Sequence, residues 1–542
     1  MSRNNKKKFQ RLHVESLEDR LNLAGNVNVV LSGNTLSITG DAKANEITIE
    51  QISENQVRII GEETGWEANT QTTVKFNNAV ANEHIITLAA PVHVKISMGD
   101  GDDDVSIENI SSGALSLNAD MGKGIDELYI SNATISGTAN NTINLGGDND
   151  YDEVRIYNSS AANSALTIKG GNGQAYVYVN GGTYKGLSVE TGSAADSVYL
   201  DNGITVNGKT SVKTQGGDDY VALYNLTTTT LDVNTGVGDD YANIGSGGGG
   251  LTTVNSTTGT TVIDLGSGDD EINLYDALIK NALQIKAGGG ENYVYINNTD
   301  VTGGSLKIEG GNEYDDVDLN SVNVTNAGAG SLIVTLGNGT GYLDMDNVVV
   351  AKDISVTSGN GDDEITLDGV ATPKLSIKAG GGENAVDLYA VGATIEEDEY
   401  EEGWVALTAL TELIVETNGG DDVMYFGNVL ATKATVKAGS GANEIYVNNS
   451  EIGNLTFTSG NGVDKLNIDG LVVNNLDAKL GAGNDTVNVY SGTFNTTLKI
   501  NGEANDDFLN LLGDEVAITG AALETATLTS ITLVPFVPEV PE

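Results

Sequence analysis

From residue 26 to about residue 511, apolar and polar positions alternate in short runs, and most runs follow a glycine-rich turn bearing one or two acids. The pattern reads GDGDDDVSI at 99–107, GKGIDELYI at 122–130, GSGDDEINL at 266–274, GNGDDEITL at 359–367 and GAGNDTVNV at 481–489. The first apolar residue after successive turns falls at Val105, Leu128, Val154, Val177, Val198, Val221 and so on to Leu509, mostly in steps of 21 to 23. Period-two alternation marks a strand with one buried face. A second alternating segment precedes each turn, as at Leu187-Ser188-Val189 and Leu375-Ser376-Ile377, and a short third one often lies between, as at Ile204-Thr205-Val206. Three short strands in roughly 22 residues make one coil of a three-sided parallel β-helix, because repeats of this length stack and bury their apolar columns on one another.

The expected fold is therefore all-β, a single parallel β-helix (β-solenoid) of about 19 rungs with an N-terminal cap, a rod on the order of 90 Å long at the ~4.8 Å inter-strand spacing. The segments read as a basic leader at 1–25, a cap with early rungs at 26–98, the solenoid at 99–511, and a C-terminal cap with a proline-spaced tail at 512–542. Longer steps mark insertions near 245–258 and 393–410, the second holding Glu396-Glu397-Asp398-Glu399 and Trp404. No long segment of helical period argues for an alternating strand–helix protein.

Charge narrows the partners. The 542 residues carry 27 Lys+Arg against 76 Asp+Glu, a net −49, and six of the bases lie in residues 1–20. Such a body repels nucleic acid and anionic membranes and attracts cations. The chain has no cysteine, which removes disulfides, zinc–thiolate sites and thiol catalysis and is compatible with an oxidising exterior. No apolar run reaches the ~18 residues of a membrane span, nor does the N-terminus hold one of signal-peptide length.

Two positions before each first apolar residue stands a column of Asp or Asn in seventeen of nineteen units, with Ala175 and Gly341 as the exceptions. Stacked carboxylates about one strand spacing apart repel and need compensation. Calcium takes six to eight oxygens from carboxylates and carbonyls in loose geometry, and glycine turns let carbonyls converge. The candidate metal residues are Asp103, Asp126, Asp219, Asp240, Asp270, Asp363, Asp422, Asp464, Asp485 and Asp507, with multiple Ca2+ as the expected cofactor. The alternative is a ladder that only caps turn N–H groups.

Two resemblances add to this. Gly99, Gly101, Asp103 and Val105, and likewise Gly359, Gly361, Asp363 and Ile365, match the GxGxDxU core of the calcium-binding nonapeptide of RTX β-rolls, U being a large aliphatic residue. RTX repeats run in tandem and turn on both edges, whereas here one copy occurs per rung, so the resemblance implies calcium on one edge. The N-terminal RLHVESLEDRLNLAGNV, with its LEDR-x-x-LA core at Leu17–Ala24, resembles the leader of exported planctomycete proteins, and the following NTLSITGDAKANEITIEQ resembles the opening of their repetitive surface proteins. This resemblance implies export to the cell surface or beyond.

The function expected is a non-catalytic extracellular or cell-surface structural or adhesive protein, stabilised by calcium. Its partners are divalent cations, with surface polysaccharide or further copies of the chain as candidates. The alternative is a β-helix carbohydrate-active enzyme, an inverting glycosidase or a lyase; a glycosidase needs only two carboxylates ~6.5–9.5 Å apart. Against it, all five arginines and all three histidines precede residue 156, and the acids recur as a lattice in which no pair stands out. His84 and His93 read as packed or surface residues of the cap. Tyr129, Tyr178, Tyr199, Tyr295, Tyr389 and Tyr446 follow the buried position and face outward, either as a sugar-stacking stripe or as an aromatic ladder that stabilises the sheet.

Overall fold

The computed structural model describes residues 25–63, 71–88, 93–111, 116–135, 141–245, 250–392, 409–503, 505–518, 527–529 and 531–534. Residues 1–24 of the leader, Trp66, Trp404 and the acidic run Glu396–Glu399 lie outside the described residues. Among those described there are strands and turns but no helix, and therefore none long and apolar enough to cross a membrane.

The strands stack in parallel, each pairing with the equivalent segment one coil away. One coil illustrates the three sides. Glu271–Tyr275 pairs with Tyr293–Asn297, Ala277–Ile279 with Thr299–Val301, and Leu283–Lys286 with Leu306–Glu309. Along each side the inward residues are apolar and almost fully buried, as Ile272, Leu274, Ile279, Leu283 and Ile285 show. The core is a column of Val, Ile and Leu running the length of the rod, with β-branched residues favoured because they fill a pleated surface.

The result is a β-solenoid of about 17 turns. The sequence count of 19 included Ile47 and Leu509, which belong to the ends. Ile47 sits in Glu46–Ser53, which pairs in parallel with Asp104–Glu108 on one edge but antiparallel with Gln56–Gly61 on the other. Leu509 sits in Phe508–Ile518, and parallel pairing continues past it through Thr527–Thr529 and Thr532–Val534.

The two ends differ. At the N-terminal end four antiparallel pairings (Asn26–Ser32 with Thr35–Thr39, Glu46–Ser53 with Gln56–Gly61, Gln56–Gly61 with Glu83–Thr87, Thr73–Phe76 with Ala79–Ala81) wrap the first coil. Val27, Leu36, Ile59, Val74 and Ile86 are buried beneath them. His84 belongs to this cap, its Nε2 lying 3.0 Å from the Val74 carbonyl oxygen and its ring packed on Phe76. His93 opens the strand His93–Asp100 and contacts the Ser116 hydroxyl through Nδ1.

Two corners of the coil have a distinct chemistry. At the acidic turn, Gly266 and Gly268 have φ of 100° and 137°, and a Cβ on either would lie 1.8–1.9 Å from the carbonyl oxygen of Gly236 or Gly238 in the turn below. Only glycine allows turns to stack this closely. At the next corner a single left-handed residue recurs in most rungs: Asn109, Asn132, Asn158, Asn202, Asn225, Asp276, Asn298, Ser321, Asn347, Asn428 and Asn449 have φ between 45° and 64°. Asn tolerates this conformation better than other side-chain-bearing residues.

Candidate functional site

The Asp/Asn column forms one line in space. Tyr220, Tyr241 and Glu271 are register partners, as are Asn292, Asp315 and Gly341, which aligns the column from coil to coil. All seventeen Asp and Asn side chains of the column are at most 2 % exposed. They point into the turn, away from solvent.

Each rung's carboxylate reaches back one coil. The backbone N–H of Asn45 donates to Asp103 Oδ1 (2.8 Å), that of Asp103 to Asp126 (2.9 Å), Asp196 to Asp219 (2.7 Å), Asp219 to Asp240 (2.9 Å) and Asp240 to Asp270 (2.8 Å). Further along, Gly341 donates to Asp363, Asn384 to Asp422, Asn443 to Asp464, Asp464 to Asp485 and Asp485 to Asp507, all at 2.8–3.0 Å. Where the acceptor is an amide the bond lengthens to 3.1–3.3 Å, at Asn292, Asn384 and Asn443, as expected for an uncharged acceptor. The two rungs without the side chain use a substitute. Asp152 N–H turns to the Gln174 carbonyl (2.9 Å) where Ala175 offers nothing, and Asp315 N–H turns to that of Thr340 (3.2 Å) beside Gly341.

The column thus does what the capping alternative requires, but only with one oxygen. The second oxygen, Oδ2, is buried and has no hydrogen-bond partner in Asp103, Asp126, Asp219, Asp240, Asp270, Asp363, Asp422, Asp464, Asp485 and Asp507. These are the ten residues the sequence nominates. Asp196 and Asp315 escape because their Oδ2 accepts the N–H of Gly192 (3.2 Å) or Gly311 (2.7 Å), four residues earlier.

A dry carboxylate oxygen favours the uncharged form. Burial, as the largest cause, pushes Asp240 and Asp485 up to about 6, Asp103, Asp152 and Asp270 to about 7, Asp219 to about 8 and Asp126 to about 9. Neighbouring carboxylates add to the rise, as Asp103, Asp152 and Asp148 do at Asp126, and the donated backbone N–H opposes it.

A second column went unrecognised in the sequence. Five residues before the Asp stands a hydroxyl in six rungs (Thr191, Thr214, Thr235, Ser358, Thr417, Ser459), whereas Asn292, Asn384 and Asn443 are each preceded at that spacing by alanine (Ala287, Ala379, Ala438). The amide makes its own contacts, donating to the carbonyls of Gly290, Gly382 and Gly441 at 3.0–3.3 Å. A carboxylate has no such donor, and a hydroxyl beside it lowers the pKa of Asp219 and Asp240. Even so, the one proton of Thr214 is directed to the Thr235 carbonyl (3.0 Å) and that of Thr235 to Leu265 (2.7 Å), so Oδ2 of Asp219 and of Asp240 stays without a donor, whereas the Ser358 and Thr417 hydroxyls lower the pKa of Asp363 and Asp422. Pairing the Asp and hydroxyl columns at a fixed offset of five is the signal that would have found them.

Outside this inner file runs another of opposite sense. Asp239 N–H donates to Asp218 Oδ1 (3.1 Å), Asp269 to Asp239 (2.9 Å), Glu291 to Asp269 (2.9 Å), Glu383 to Asp362 (2.8 Å) and Ala442 to Asp421 (2.7 Å). Here the side chain reaches forward one coil, and Asp218, Asp239, Asp269, Asp362 and Asp421 are exposed.

The donor set fits calcium in one respect. Buried carboxylate oxygens without partners are hard, anionic and dry. Among the described residues no three His, Cys, Asp or Glu side chains converge as a metal-holding group. An ion at this edge would therefore take one or two column carboxylates and complete its shell from turn carbonyls. Those of Gly266, Gly359 and Gly439 each accept one N–H from the next turn and keep a second lone pair.

The tyrosines form a ladder. Centroids of Tyr129, Tyr157, Tyr178, Tyr199, Tyr220 and Tyr241 follow one another at 5.2–6.2 Å. Tyr220 and Tyr241 are stacked at 7° and the other pairs are tilted by 34–58°, contacts of the cross-strand kind that stabilise a sheet. Tyr389 stands apart from that ladder, 47 % exposed.

Comparison with protein families, with curated proteins and with solved structures found no match to this chain. What the fold defines is a class, the parallel β-solenoid repeat protein.

Proposed function

We propose that this chain is a non-catalytic structural or adhesive rod of the cell exterior, stabilised by calcium along its inner carboxylate column. The observation that carries the reading is the recurrence of a buried, unpartnered Oδ2 in ten rungs. A solitary orphaned oxygen is a local defect, but ten in one file recur with the repeat and support a binding role. Each must take a proton or a cation to be stable, since an uncompensated buried charge costs several kcal/mol. Calcium supplies the positive charge that the backbone N–H groups supply to only one oxygen of each pair.

The non-catalytic reading follows from equivalence. The column carboxylates repeat one back-reaching bond along the rod, as Asp219, Asp240 and Asp270 do in successive coils, so no pair is set apart for acid and base roles. The anionic surface suits divalent cations, and the long faces suit surface polysaccharide or further copies of the chain as partners. Export is supported by the resemblance of the N-terminal leader and by the absence of cysteine.

The test is thermal unfolding in calcium and in chelator, with metal analysis of the dialysed protein. Calcium is expected to raise the midpoint by ten degrees or so, with several ions per chain. An unchanged midpoint and no bound metal would leave the column as a capping ladder that holds protons.

A further inference from the structure

One acidic turn departs from the others. The column residue stands four positions after the turn glycine at Gly99/Asp103, Gly122/Asp126, Gly266/Asp270 and Gly359/Asp363, but six after Gly146. The longer turn, Gly146-Gly147-Asp148-Asn149-Asp150-Tyr151-Asp152, brings in an acid, Asp148, outside the Gly-x-Gly-x-Asp pattern. Its contact with the preceding coil is changed. In ordinary rungs the N–H of the second glycine donates to a carbonyl one coil on, Gly101 to Lys123 (2.7 Å) and Gly238 to Ser267 (2.8 Å). At Gly124 the acceptor is instead Asp148 Oδ2 (2.9 Å). That leaves Asp148 Oδ1 buried with no hydrogen-bond partner.

The packing differs as well. A Cβ on Gly122, Gly236 or Gly266 would lie 1.6–1.9 Å from a backbone carbonyl oxygen, so backbone fills that space. The same point at Gly146 is a hollow edged by oxygen: 2.9 Å from the Gly122 carbonyl oxygen, 3.2 Å from Asp152 Oδ2 and 3.6 Å from Asp148 Oδ1. Asp152 is 2 % exposed, and its Oδ1 accepts the Asp126 N–H (3.0 Å) while Oδ2 borders the hollow. Beside it Asp126 is 1 % exposed, with Oδ2 buried and unpartnered. Burial first, and Asp148 among the neighbouring acids, raise both Asp126 and Asp152. The nearby ion pairs, Lys123 with Asp100 and Arg155 with Glu153, include none of the three carboxylates.

We infer that this long turn is a discrete calcium site, with Asp148, Asp152 and the Gly122 carbonyl as its protein ligands, and that it fills before the rest of the column. The choice of ion rests on the calcium reading of the column; the place rests on the turn's own geometry. Calcium accepts carboxylate, carbonyl and water oxygens in loose arrangement, whereas magnesium demands a near-ideal octahedron. Gly147, Asn149 and Asp150 are exposed, which gives a hydrated ion a way in. On the far side Asp152 pairs in register with Ala175, so no further column carboxylate crowds the site from the next coil.

Calorimetric titration of the chelator-stripped full chain with calcium chloride is expected to show one tight ion followed by weaker ones. Asp148→Asn keeps an oxygen for the Gly124 N–H, and its urea midpoint in chelator is expected to match the parent's. The same variant is expected to weaken the first step by at least the ~10-fold that loss of even a supporting group costs a metal site, with the later steps unchanged. Asp485→Asn, far along the column, is expected to leave the first step intact and to diminish a later one. A first step unaltered in Asp148→Asn would overturn this inference and leave the column reading standing. One tight step with nothing after it, lost in Asp148→Asn, would uphold this site and sink the column reading; no binding at all would sink both. Independently of any variant, crystals of the parent with one equivalent of a lanthanide are expected to place its anomalous peak between Gly122 and Asp148. A peak at another rung would overturn the inference.

Discussion

Asp239 and Asp240 are adjacent, have the same side chain and each accept a backbone N–H from a neighbouring coil, yet they live in different media. Asp240 reaches back to the Asp219 N–H, is 2 % exposed and keeps an unpartnered buried oxygen. Asp239 reaches forward to the Asp269 N–H and lies in solvent. The same contrast recurs at 218/219, 269/270, 362/363 and 421/422. A shift of one position in an extended turn reverses both the direction of the bond and the side of the wall on which the carboxylate sits. Water satisfies the second oxygen of the outer residue; nothing in the protein satisfies that of the inner one. Only the inner file therefore has reason to bind a proton or an ion.

The largest test of this difference is pH in the absence of calcium. In the unfolded chain these carboxyls titrate near 4. In the fold burial raises them to between about 6 at Asp240 and about 9 at Asp126. From about pH 4 up to each folded value the folded state then holds more protons than the unfolded one, so stability falls as pH rises across that range. The contribution is complete below about pH 4, declines through the folded values and is gone above about 9. Urea midpoints measured from pH 5 to 9 are expected to fall steadily in chelator and to flatten when calcium is added. Asp126→Asn and Asp219→Asn together are expected to shallow the slope in chelator; an unaltered slope would place the titration elsewhere.

Next in size is removal of a single rung. Asp240→Ala leaves the Asp219 N–H buried without an acceptor and opens a small void, for a loss of about 2–4 kcal/mol. Asp239→Ala is expected to cost at most about 0.5–1 kcal/mol, because water replaces the lost acceptor. Equal losses in the two variants would collapse the distinction between the files. The smallest effect is expected for Asp240→Asn, within about 1 kcal/mol in chelator, since Asn292, Asn384 and Asn443 fill equivalent places. Its use is diagnostic: calorimetric titration should show that variant binding less calcium than the parent.

Much of this was legible from the chain. A twenty-odd-residue recurrence of Gly-Asp turns and alternating strands defines stacked coils, because in-register stacking is how such units bury their apolar residues. From that register the position of Asp103, Asp240 or Asp485 in a single file follows directly. The outward orientation of Tyr129, Tyr178 and Tyr199 follows from alternation in the same way, though their partners Tyr157, Tyr220 and Tyr241 did not. The left-handed Asn corner and the hydroxyls at Thr214, Thr235 and Thr417 were equally periodic but had no assigned role, since a repeat shows that residues align and not what they touch.

What the chain determined by itself is the set of columns, because periodicity is a one-dimensional property that stacking carries unchanged into space. Only the tertiary structure decided which way each column faces and which atom meets which. The direction of the Asp240 bond, the dryness of its second oxygen and the difference between the two ends depend on how one turn lies over the next. Those are relations between coils, and no single coil contains them.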